Sequence, residues 1–202
     1  MVDVLLDSVW LGPSLWAALY VSDYFLTITC ARMYQAQDKI VFEGSYEITP
    51  LFQADVNALR RLSPRFLVAL PATTGYVFLV HRIAGPSSGL YLGVLGAMVL
   101  TELTVHIRHL RNWFLFRKGI SSIQGRLAYP RSFLLRMSAV EIFLFAGLYL
   151  VLFLMTESPF VLGGAIAAAA LSLSHYRLAR RHDATRPMAA NRGMQQTADA
   201  RS

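Results

Sequence analysis

Ser87 to Asn112 reads SSGLYLGVLGAMVLTELTVHIRHLRN. The first fourteen residues carry no charge, and the next twelve bring in a glutamate and two histidines. An uncharged run of this kind, continued to Ile107, is about the 20 residues a membrane-crossing helix needs. Four more stretches qualify, so the chain is read as an all-α, polytopic transmembrane helix bundle of five spans. The spans are placed at about 11–31, 66–84, 88–107, 133–155 and 160–178. Composition agrees. The 202 residues are 55% apolar and only 15% charged, against about 25% charged in a soluble domain.

Charge placement orients the spans. Lys and Arg number 0, 5, 1, 6, 0 and 6 in the successive non-spanning segments, with Arg136 inside the fourth span. The positive-inside rule then puts the N-terminus outside and the C-terminus in the cytoplasm. This alternation also accounts for the net charge of +7, so nucleic acid is not an expected partner. The lipid bilayer is one, and a second copy of the chain another, because five spans make a thin bundle. No signal peptide is visible, since Asp3 and Asp7 stand where a cationic segment belongs. A single cysteine, Cys30, excludes an intramolecular disulfide framework and a cysteine-based zinc cluster. Trp10 marks the outer interface, and Trp113, Phe114 and Phe116 the inner one.

Residues 1–182 are read as the integral membrane domain and 183–202 as a disordered basic cytoplasmic tail. Within the first cytoplasmic connection, about 50–62 reads as an interfacial amphipathic helix. Leu51, Phe52, Val56, Leu59 and Leu62 fall on one side, and Gln53, Asn57, Arg60 and Arg61 on the other. Pro64 stops it. Asp55 lies on the apolar side, which makes sense if that side covers the mouth of the bundle.

Ionisable groups within spans are costly and are functional candidates by default. Here they are Asp23, Glu102, His106, Arg136 and Glu141. All occupy the cytoplasmic half; the three carboxylates lie roughly 9 to 15 Å from the helix ends at 1.5 Å per residue. Glu102, His106 and His109 share one face of the third helix, within about 60°. Gly89, Gly93, Gly96 and Ala97 lie opposite and allow close helix approach. The first helix answers with Trp16, Tyr20, Asp23, Thr27 and Cys30. Arg136 is expected to pair with Asp23 or Glu102. Together these predict a polar pocket open to the cytoplasm and lined by Asp23, Glu102, His106 and Glu47.

Two readings of the face stay open. A carboxylate with imidazoles suits a proton site or a divalent metal, held by Glu102, His106 and His109. Alternatively, Glu102 is one half of a buried ion pair and the histidines mark the interface. Gly85–Gly89, GPSSG, formally matches a hydrolase nucleophile elbow. That motif needs a strand-to-helix turn, so the stretch is read as a tight turn with Ser87 or Ser88 capping the third helix.

Asp23-x-x-x-Thr27 followed by Glu47-Ile-Thr-Pro50 resembles a pattern in small bacterial multi-pass membrane proteins of unknown function. There an Asp-x-x-x-Thr precedes a Glu-x-Asn-Pro; here Thr49 replaces the Asn. The resemblance covers the first third of the chain. It implies the bacterial inner membrane and a role for Asp23, Thr27 and Glu47, and it assigns no reaction. The expected function is a cation- or proton-binding membrane protein: a small transporter, channel subunit or accessory protein. The alternative is an intramembrane metalloenzyme acting on lipid or peptide from the cytoplasmic side.

Overall fold

Two serines set where long helices begin. Ser63 accepts a hydrogen bond from the Phe66 amide, and Pro64 takes the first helical position, where its missing N–H costs nothing. Ser88 accepts from the Tyr91 amide and starts the next helix, four residues after the previous one ends. Gly85, at φ +88°, supplies the left-handed turn between them. The GPSSG stretch is thus a helix-to-helix turn, as its reading as a cap requires.

The computed structural model describes residues 8–199, with side chains to residue 184. Among these residues lie six helices and two three-residue strands. The helices are α1 Leu11–Gln35, α2 Gln53–Asn57, α3 Pro64–Ala84, α4 Gly89–Phe114, α5 Arg131–Thr156 and α6 Pro159–Asp199. α4 runs on through one π-helical turn, Leu115–Gly119, and one 3₁₀ turn, Ile120–Ser122. The strands, β1 Ile40–Phe42 and β2 Leu127–Tyr129, pair in parallel.

Four helices are long and apolar enough to cross a membrane: α3, α4 with its extension, α5, and α6 over Pro159–Ala184. At most 28% of any of their apolar windows is buried within the bundle. Most of their apolar side chains therefore face outward, including Val68, Ile83, Leu144, Leu154 and Met155. An apolar exterior of this kind suits a lipid surrounding, because water would penalise it at about 25 cal/mol per Å². α1 does not join the four by composition, although it matches them in length.

α4 is central. It packs against α1, α3 and α6, and α6 in turn packs against α5. The small-residue face accounts for the α4–α6 contact. A Cβ on Gly96 would collide with the Phe160 backbone, and one on Gly163 with the Gly93 backbone. The helices cross with backbone against backbone, which only glycine permits. The opposite face meets α1. A separate apolar layer forms from Trp16, Val77, Tyr91, Leu95 and Val99.

Four features differ from the sequence reading. The expected amphipathic helix over 50–62 is a single turn and a half, Gln53–Asn57. Leu59 adopts a positive φ of 49°, which ends it. Val56 and Phe52 still turn inward, and Leu51 and Leu62 outward. Second, the strand pair adds a β element to a chain expected to be all helical. It is too short for alternation to reveal. Third, α6 runs to Asp199, over most of the segment expected to be disordered; residues 200–202 lie outside the described ones. Phe116, expected at the membrane interface, is instead buried against Tyr34 and Tyr46.

Candidate functional site

Four polar contacts join α1 to α4 over about two helical turns. Ser22 Oγ lies 2.6 Å from His106 Nε2. His109 Nε2 lies 3.2 Å from Asp23 Oδ1 and 3.0 Å from Thr27 Oγ1. Cys30 Sγ donates to the His109 carbonyl at 3.4 Å. The spacing on α1 follows the helical period, so one stripe meets one stripe. Here the stripe read from the sequence and the histidine face of α4 come together.

The tautomers follow from the partners. His106 Nδ1 faces the Glu102 carbonyl at 2.8 Å. A carbonyl only accepts, so Nδ1 carries the proton. In the neutral ring, Nε2 is then the lone pair. His109 is the reverse: a carboxylate opposite Nε2 places the proton on Nε2. His109 Nδ1 is buried without a partner.

One carboxylate oxygen is left over. Glu102 Oε1 is buried and makes no hydrogen bond, and the buried Asp23 Oδ1 has only the His109 Nε2 contact at 3.2 Å. Burying such an atom unpaired costs about 1–3 kcal/mol, more when charged, so the orphan calls for an explanation. One donor atom each from Asp23, Glu102 and His106 lies within 4.8 Å of the other two. The three-residue group is therefore Asp23, Glu102 and His106. His109, expected as a metal ligand alongside Glu102 and His106, instead faces Asp23 and Thr27.

Beside this group lies a cavity of about 220 Å³. Asp23, Thr27, Glu47, Glu102, Arg108 and His109 are on its wall, with Tyr20, Tyr24, Tyr46 and His175 supplying rings. His106 lies outside that wall. Glu47 reaches it from the β1–α2 loop, where its Oε1 also accepts from the Thr49 amide at 2.7 Å. Tyr46 is partly buried, and desolvation raises its phenol above the ordinary range, so it stays neutral as a hydrogen-bond partner of Asn112.

Arg136 and Glu141 lie elsewhere. Arg136 pairs with Asp183 on α6, not with Asp23 or Glu102 as expected. Five residues separate Arg136 from Glu141, which turns them to different sides of α5. Glu141 pairs with Arg111 and, at 3.7 Å, with Arg108. Sequence reasoning counted Arg108 and Arg111 only as charges that set topology. It also missed Ser22, one residue from Asp23, and His175, which bonds Ser138 Oγ at 2.8 Å. Arg108 and His175 each had a visible signal: an ionisable group one or two turns inside the end of an apolar run.

No protein-family model matches the chain, and no match is found among curated proteins or solved structures.

Proposed function

We propose that the protein is a multi-pass integral membrane protein with a cytoplasm-facing site for a cation or proton, acting as a small transporter, channel subunit or accessory protein. In this reading α1 is a fifth span, the N-terminus is outside and the C-terminus inside, and α2 rests at the cytoplasmic interface. The membrane is the inner membrane of a bacterium. The observation that carries the reading is the orphaned Glu102 oxygen, grouped with Asp23 and His106 beside a cavity. A carboxylate needed only for stability is paired with arginine, as Asp55 and Glu141 are. The Lys/Arg alternation supports the orientation.

Reconstitution in liposomes with a pH-reporting dye tests the function. Expected is proton or cation flux that Asp23→Asn and Glu102→Gln abolish. Flux that is absent, or unchanged in both variants, would defeat the reading. Reporter fusions at Gly85, Gly125 and Ser158 test the threading. Alkaline phosphatase activity at Gly125, or cytoplasmic fluorescence at Ser158, contradicts it.

A further inference from the structure

We infer that Asp23, Glu102 and His106 bind one divalent transition-metal ion, with zinc the best match. This rests on the cation reading above and narrows it to a ligand class. The donor set argues first. Two carboxylate oxygens and one imidazole nitrogen suit zinc, and also manganese or iron(II). Calcium takes six to eight oxygens, and an imidazole offers nothing to an alkali ion.

Electrostatics argues second. Two carboxylates whose oxygens lie within 4.8 Å of each other repel. Glu102 Oε1 is cut off from both water and hydrogen-bond donors, and Asp23 Oδ1 has only His109 Nε2 at 3.2 Å. Arg108, on the same cavity wall, has its Nε 3.7 Å from Glu141. A doubly charged ion between the carboxylates removes the repulsion and fills the orphaned Glu102 acceptor. Metal–ligand bonds of about 2.0–2.2 Å bring the donors to roughly 3.5 Å apart. Side-chain rotation on helices already in contact supplies that contraction.

The supporting contacts argue third. Metal-bound histidines commonly donate their other ring N–H to a carbonyl or carboxylate, which fixes tautomer and orientation. His106 does this through Nδ1 to the Glu102 carbonyl. Nε2 faces Ser22 Oγ, but Ser22 also lies 2.9 Å from the Leu19 carbonyl. The serine proton can turn to that carbonyl when a metal takes the ring. His109 acts as a positioning residue: its Nε2–H faces Asp23 Oδ1 at 3.2 Å and Thr27 Oγ1 at 3.0 Å. Asp23 and Glu102 also stand on the cavity wall. Three protein ligands beside a cavity leave a position for water or substrate, unlike a closed four-ligand structural site.

The test is metal content of the full-length protein, purified in mild detergent, stripped with chelator and reloaded separately with zinc and cobalt. Expected is about one equivalent per chain and a visible cobalt d–d spectrum. His106→Ala and Glu102→Gln should each weaken binding by more than tenfold. His109→Ala should weaken it by about 10- to 100-fold, the range for supporting partners, and shift the cobalt bands. Arg136→Met, remote from the site, should bind as wild type, and gel filtration with circular dichroism checks that each variant is folded. Less than about a tenth of an equivalent in the folded wild type would overturn the inference, as would full binding by folded His106→Ala. If metal is absent while Glu102-dependent proton flux persists, the metal assignment fails and the proton reading stands. If metal binds and no flux occurs, the reverse holds.

Discussion

Asp55 and Asp23 are carboxylates on neighbouring helical elements, and they are treated in opposite ways. Asp55 is 2% exposed and both oxygens are engaged, one by Arg60 at 3.1 Å and the other by Arg65 at 2.9 Å. Asp23 is more accessible, at 21%, and no arginine engages it; its Oδ1 has only the His109 imidazole, at 3.2 Å. Asp55 anchors the turn after α2 to the start of α3 and has no capacity left for anything else. Asp23 keeps capacity in reserve. Burial alone therefore does not mark a site in this protein; unspent hydrogen-bonding capacity does. Glu141 and Glu102 repeat the contrast, the first held by two arginines and the second with an orphaned oxygen.

The sharpest break in this comparison would come from Asp55. Asp55→Asn should lower stability in detergent by about 2–3 kcal/mol. Truncating one member of a buried pair costs more, but Arg60 and Arg65 remain half exposed and regain water. Thermal unfolding followed by circular dichroism measures it, and a neutral result would erase the distinction between the two aspartates. Glu141→Gln comes next, at about 1–2 kcal/mol, because it leaves two arginines without their carboxylate. If the loss instead fell on metal binding or flux, Glu141 would belong to the site. Glu102→Gln should change metal-free stability by less than about 1 kcal/mol in either direction, since it breaks no pair and relieves a repulsion. A loss above about 3 kcal/mol would mean that Glu102 has a structural partner. The smallest effect is expected for Arg136→Met, under about 0.5 kcal/mol, because Arg136 and Asp183 are both substantially exposed. Combined with Glu102→Gln it should be additive, since the two residues share no contact. Recovery of stability in the double variant would put Arg136 back in the site.

Helix existence was legible because segments apolar enough to cross a membrane are long and uniform. The helices α3, α4 and α5 begin and end within two residues of the expected spans, except that α4 runs on past Ile107 to Phe114. The faces of α4 were legible too, since glycine spacing and histidine spacing both follow the 3.6-residue period. Partner choice was not. Arg136 could reach several carboxylates from the sequence alone, and only the packing of α6 against α5 brings Asp183 to it. Arg108 and Arg111 were absorbed into a charge count, which conceals what each charge touches. The strand pair was illegible for a plainer reason: its members are separated by α2, α3 and α4, and three residues carry no periodicity.

That strand pair governs the order in which the pocket is built. Ile40–Phe42 must wait for Leu127–Tyr129, and α3 and the whole of α4 are synthesised in the interval. Lys39, which donates to the Ile120 and Ile123 carbonyls, waits equally long. During translation the Asp23–His109 seam can therefore close before the clasp that steadies the loop of Tyr46 and Glu47. The wall of the cavity formed by α1 and α4 is thus made first, and the loop that carries Tyr46 and Glu47 is fastened last.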